Sequence, residues 1–274
     1  MPRRAATRCV LLSGLAIHLA AVSTAPVSAQ TQAEPGGAKA QMEADANNPL
    51  ARVQALNLHD YYVPSLSESG DENANAFWLR YAQTFGDVLF RASLPVSRVP
   101  AGDGTTTSGL GDLNLLGTYL FDTGNPRASL GAGPQITVPT ATDHKTGSGK
   151  WQAGLAVIYF NATSSAVQWG GLVTWQAAFA GDAERPGTSV FAVQPFYFVQ
   201  LGKGLYVRSS AVMAFDLKNN TYNVPVGLGI GQVVPTKAAV FNVFIEPQFT
   251  VLSHGPGQPE FQVFFGFNTQ FLKK

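Results

Sequence analysis

Residues 241–251 read Phe-Asn-Val-Phe-Ile-Glu-Pro-Gln-Phe-Thr-Val, and they carry two faces of opposite character. In an extended chain Phe241, Val243, Ile245, Pro247, Phe249 and Val251 point to one side, while Asn242, Glu246, Gln248 and Thr250 point to the other. The same alternation recurs over 52–63, 76–85, 88–98, 108–121, 127–139, 150–160, 166–180, 189–201, 205–216, 221–233, 239–251 and 259–272. About twelve strands result, an even number of the kind found in single-chain bacterial barrels.

Composition points the same way. Hydrophobic residues make up 45% of the chain and charged residues only 13%, low in charge for a soluble globular protein. Beyond the first thirty residues no apolar stretch reaches the roughly 18 residues of a membrane-spanning helix, so a bilayer would have to be crossed by a closed sheet. At the start, Arg3, Arg4 and Arg8 precede an apolar run from Val10 to Val22 and then Val27-Ser28-Ala29, a small-x-small cleavage pattern. Residues 1–29 therefore read as a secretory signal, with a mature start near Gln30. The single cysteine, Cys9, lies ahead of the apolar run and leaves with it, so no thiol chemistry is expected. Removing those three arginines from 18 Lys+Arg leaves 15 against 17 Asp+Glu, a near-neutral chain without the basic stripe that nucleic-acid binding requires. Residues 30–50, rich in Ala, Gln, Glu and Gly, read as a flexible periplasmic leader with a short helix over 38–46.

Connections alternate in length. Those after odd strands are long and polar, such as 64–75, 99–107 and 140–149; those after even strands are tight, such as Gly86-Asp87 and Gly202-Lys203-Gly204. Short periplasmic turns and longer outer loops would put both termini in the periplasm. A two-residue, Gly-first turn at Gly86-Asp87 pairs Phe85 with Val88, Tyr81 with Ala92, Leu79 with Leu94 and Phe77 with Val96, keeping both oily faces on one side. The Gly202–Gly204 loop likewise pairs Val199 with Val207 and sets Phe198 opposite Arg208. Aromatic residues gather at strand ends in two groups: Tyr61, Tyr62, Trp151, Phe179, Phe215 and Tyr222 towards the long loops, and Phe85, Tyr119, Phe121, Tyr159, Trp169 and Phe271 towards the turns. Two interfacial girdles produce this distribution. The competing fold is a soluble sandwich or lipocalin-like barrel, whose oily face would point inward.

Several segments resemble a known family: Asn47-Asn48-Pro49-Leu50, Ser108-Gly109-Leu110-Gly111-Asp112-Leu113, residues 131–139 (GAGPQITVP) and residues 147–152 (GSGKWQ). They are similar to outer-membrane β-barrels labelled "putative MetA-pathway of phenol degradation", over most of residues 47–272. The resemblance implies a transporter-like barrel of Gram-negative bacteria handling aromatic or other small hydrophobic compounds, and it supplies no catalytic residues. Outer-membrane barrels commonly end in an aromatic residue read by the barrel assembly machinery; here Leu272-Lys273-Lys274 extend past Phe271.

The inward phase carries few charges, and these are the candidate lumen and selectivity residues: Arg80, Arg91, Asp112, Arg208 and Glu246, with Lys150 and Asp216 nearer the rim. In the hairpin register Arg80 and Arg91 are diagonal neighbours, roughly 7–8 Å apart. Two readings stay open: an internal ion-pair network in which Asp112 or Glu246 supplies the carboxylate, or a positive constriction favouring anions. Phe198, Phe244 and Phe264 share the interior phase and are the candidate lumen aromatics. Inward glycines (Gly131, Gly133, Gly154, Gly170, Gly227, Gly229 and Gly231) mark either bends needed for closure or a cleared path. No His or Cys spacing suggests a metal, no cofactor motif is present, and Gly227-Leu228-Gly229-Ile230-Gly231 lacks the helix that a nucleotide-binding turn needs. His144 and His254, beside Asp143 and Ser253, leave a rim hydrolase as the competing activity. Acidic loop residues such as Glu68, Asp71, Glu72, Asp182 and Glu184 are candidates for contact with cations or lipopolysaccharide.

The sequence thus predicts an all-β, transmembrane, antiparallel up-and-down barrel over 51–274, in the outer membrane. It would pass or bind small solutes without enzymatic activity or cofactor; a closed structural barrel is the third alternative.

Overall fold

In the computed structural model, residues 42–68, 72–102 and 104–272 are described. The signal, Cys9, the leader up to residue 41, Asp71, Lys273 and Lys274 lie outside them. Twelve staves form: β1 (Gln54–Leu66), β2 (Ala74–Phe85), β3 (Val88–Pro100), β4 (Thr106–Leu110 and Leu113–Phe121), β5 (Ala128–Val138), β6 (Lys150–Asn161), β7 (Val167–Gly181), β8 (Ser189–Gly202), β9 (Leu205–Ser209 and Met213–Asp216), β10 (Thr221–Gly227 and Gly229–Pro235), β11 (Ala239–His254) and β12 (Pro259–Phe271). Each pairs antiparallel with its sequence neighbours, and β12 returns to β1 with Leu58 opposite Phe267, so the sheet closes and no edge is left.

Three staves are interrupted, and each break faces a proline. Pro95 on β3 lies opposite the gap in β4, Pro195 on β8 opposite the gap in β9, and Pro247 on β11 opposite the gap in β10. Proline has no N–H to give to a ladder, so the neighbouring strand loses its partner at that point and bends away.

The anticipated register holds at the first hairpin, from Phe85–Val88 through Phe77–Val96. Gly86 has φ 58°, the left-handed value that the first position of this turn demands, while Asp87 stays in the ordinary region. At the next tested turn Val199 meets Val207 and Phe198 meets Arg208, with a one-residue shift beside Leu205.

The sidedness is settled on β11. Ile245 and Phe249 are 45% and 58% exposed, whereas Glu246 and Gln248 are 0% and 1%. The apolar face points away from the axis, which excludes the lipocalin-like alternative, and the belt it forms is flanked by exposed Tyr62, Trp151 and Phe179 at one end and Phe85, Tyr119, Trp169 and Phe271 at the other. Tyr61 departs from the girdle expectation: its phase is inward, and its ring stacks on Phe264 at 4.2 Å. Because Ile245 sits mid-stave on the lipid face, Ile245→Arg is expected to destabilise the barrel by about 2–4 kcal/mol, read as a lowered denaturation midpoint in lipid vesicles, whereas Val251→Arg on the same face towards the rim should cost far less.

The lumen has two zones. On the loop side it is lined by polar residues, among them Ser93, Asn114, Gln135, Thr137, Gln152 and Gln176. On the turn side it is apolar: Leu89, Leu116, Leu120 and Ile158 form one buried cluster, and Phe160, Phe196, Phe198, Tyr206, Val233 and Val240 another. Both clusters are completed by the chain ahead of β1, with Leu50 (2% exposed) packed into the first and Ala46 into the second. Residues 42–45 make a single helical turn, so the described part of the leader is folded inside the barrel's turn-side mouth instead of trailing from it.

Candidate functional site

Two cavities meet within the lumen: a turn-side chamber of about 180 Å³ and a loop-side vestibule of about 510 Å³. Arg80, Arg91, Leu172 and Gln194 border both, and so define the step between them. Strand alternation places the two arginines there, since Arg80 on β2 and Arg91 on β3 fall on the inward phase one rung apart, opposite Ser93 and Ala82.

The charges anticipated from sequence separate into two kinds. Arg208 and Glu246 form a buried ion pair at 2.8 Å with side chains 7% and 0% exposed. The Glu246 carboxylate also accepts the backbone N–H of Ser210 at 2.8 Å, the Ser210 hydroxyl at 2.9 Å and the Gln248 amide at 2.8 Å. Its role is structural as well as electrostatic, because the Ser210 N–H sits in the break of β9 and has lost its ladder partner; the Ser210 carbonyl, likewise, accepts from the Gln194 amide at 2.8 Å. Phe198, Phe244 and Phe264 close around Arg208, whose guanidinium carbon lies 3.4 Å from the Phe244 ring centre and 5.6 and 5.4 Å from the other two. The three rings are buried, and they cage a cation.

This network crosses a whole strand. β10 lies between β9 and β11, and its inward positions 227, 229 and 231 are all glycine. A Cβ on Gly229 would lie 2.7 Å from the Glu246 Cβ, and one on Gly231 would lie 2.3 Å from the Tyr206 ring. Absence of those side chains lets Glu246 reach Ser210 and lets the Tyr206 hydroxyl donate to Asn242 at 2.6 Å. The glycines here are slots filled by neighbours, neither simple bends nor a cleared path.

Arg80 and Arg91 are different. Arg80 donates to His59 Nδ1 at 2.7 Å, so the His59 Nε2–H points to Asn268 Oδ1, also 2.7 Å away; the Arg80 guanidinium lies 4.9 Å from the Trp78 ring centre. Arg91 Nε is buried and has no hydrogen-bond partner among the described residues. Among those residues no carboxylate pairs with either arginine, and the expected internal network does not extend to them. Glu246 is taken by Arg208. Asp112 points into the long loop after β5, accepting the backbone N–H groups of Ala141 at 3.2 Å and Ser148 at 2.6 Å and the Ser148 hydroxyl at 2.7 Å. Nearer the rim, Asp216 accepts the Ser189 N–H at 3.1 Å and Lys150 donates to the Asp182 carbonyl. These three residues therefore tie down loops.

Sequence reasoning missed the mouth-filling segment. Asn47 Oδ1 accepts from Asn242 at 2.9 Å, Asn48 donates to Ser129 Oγ at 3.1 Å, the Ala46 carbonyl accepts from Gln270 at 3.2 Å, and Asp45 approaches Arg127 at 4.0 Å. The Asn47-Asn48-Pro49-Leu50 run was visible, but one leucine among small polar residues carries no periodicity to reveal where it packs. Of the rim histidines, His144 lies 3.6 Å from Asp143, and His254 stacks on Tyr222 at 5.8 Å. Asp143 is engaged by the loop itself: the Lys145 backbone N–H and the Thr107 hydroxyl hold its carboxyl below the usual carboxylate range.

A closed twelve-stave cylinder, oily outside and holding charged residues over a stepped lumen, defines a transmembrane β-barrel of the outer-membrane type. Among solved structures, the COG4313 outer membrane channel from Pseudomonas putida F1 superposes with a TM-score of 0.61 at 14% identity, covering 81% of this chain and 97% of that one. The NanC porin superposes with a TM-score of 0.51 at 9% identity, covering 80% of this chain and all of that one. At such identities the likeness shows the fold alone. No protein-family model and no curated protein matches the chain.

Proposed function

We propose that the barrel is a passive conduit for small solutes in the outer membrane, with an anion-favouring step at Arg80 and Arg91 and both termini in the periplasm. The observation that supports this reading best is the pair of arginines without a carboxylate partner at the junction of the two lumen cavities. Fixed positive charge in a narrow, partly apolar passage lowers the energy of an anion there and raises that of a cation. Similarity of fold to outer-membrane channels fits a transport role, and the resemblance to the phenol-degradation barrels extends it to aromatic solutes. Lipopolysaccharide at the rim and the assembly machinery at the last strand belong to the same proposal.

In planar bilayers under a salt gradient, the barrel is expected to show anion preference, and Arg91→Met to lose at least half of it. An unchanged reversal potential in Arg91→Met would assign Arg91 to packing. A second reading, a barrel closed at rest, is favoured by the chain segment lodged in the turn-side mouth.

A further inference from the structure

Resting on that reading and narrowing it, we infer that the step at Arg91 is a binding site for small monocarboxylates with a compact apolar body, benzoate being the simplest probe. The polar end of the site is set by Arg91, a guanidinium held inside the barrel with a buried Nε that no described residue satisfies. Leaving such a donor unmatched costs energy, and a carboxylate is the planar acceptor that a guanidinium fork fits. The nearby charge is already allotted. Arg208 is neutralised by Glu246, and Arg80 keeps its charge but spends a donor on His59, so among the described lumen arginines Arg91 is the one with an unmatched buried donor.

The apolar end lies directly below. The turn-side chamber bordered by Arg91 measures about 180 Å³ and has an apolar wall of Leu89, Ile158, Leu172 and Phe196 facing a polar one that includes Asn57, His59 and Asn268. A cavity of about 150 Å³ holds a benzene ring, so by volume the chamber suits a single ring lying against the apolar wall. A ligand with its ring in the chamber and its carboxylate at Arg91 satisfies both ends at once. Acetate would forgo the apolar contacts, and benzyl alcohol would forgo the charge-assisted hydrogen bonds.

The test is calorimetric titration of the purified, folded full chain with benzoate, acetate and benzyl alcohol, alongside conductance of the same preparation in planar bilayers. Benzoate is expected to bind about tenfold or more tighter than either comparator, with Arg91→Met abolishing that margin and Arg91→Lys keeping part of it. Equal affinity for benzoate and benzyl alcohol, or full benzoate affinity in Arg91→Met, overturns the site. If Arg91→Met does not fold, the ligand series and Arg91→Lys decide. A barrel that conducts anions yet treats benzoate like acetate loses this site and keeps the conduit; one that binds benzoate and never opens keeps the site and loses the conduit.

Discussion

Deleting residues 42–50 is expected to raise single-channel conductance several-fold. The segment fills the turn-side mouth through Leu50, Ala46 and the hydrogen bonds of Asn47 and Asn48, so its removal leaves the 180 Å³ chamber open to solvent at that end. The hold consists of one buried leucine, one alanine and a few hydrogen bonds, so it is small enough to be displaced. The double substitution Asn47→Ala with Asn48→Ala should accordingly give brief openings to the larger level. Equal conductance of the intact and deleted barrels would show that the segment does not obstruct the path.

Glu246→Ala is expected to destabilise the barrel by about 3–5 kcal/mol, because it strands a buried Arg208 charge. It also leaves the Ser210 N–H in the β9 break without an acceptor. Adding Arg208→Met should restore a large part of the loss, since an apolar side chain suits the Phe198, Phe244 and Phe264 cage. It should not restore all of it, because Ser210 remains unpaired. The measurement is the denaturant midpoint of folded barrel in lipid vesicles for the two single variants and the double. A Glu246→Ala loss below about 1 kcal/mol would mean that water already satisfies Arg208.

How far the residues alone announced this arrangement depends on the range of the interaction involved. Alternation is a local property of an extended backbone, so the stretch 241–251 gave away its lipid face, and with it that of the other staves. Register at Gly86-Asp87 was equally local, being set by a two-residue turn. The inward phase of Arg80, Arg91, Arg208 and Glu246 followed from the same counting. Their partners did not follow, because pairing depends on neighbours that are distant in sequence: Glu246 reaches Arg208 across β10, 38 residues away, only because that strand carries glycines.

By itself, then, the sequence determined a twelve-stave cylinder with hydrocarbon outward and the side chains available to its lumen, since a period of two and a turn length are written in consecutive residues. Tertiary structure alone decided that Arg208 is neutralised while the Arg91 Nε is left unmatched, that Tyr61 stacks on Phe264, and that residues 42–50 occupy the mouth. Closing the sheet brings together charges and apolar walls from strands far apart in the chain, and which of them meet is a matter of distance and space inside the cylinder that no local pattern encodes.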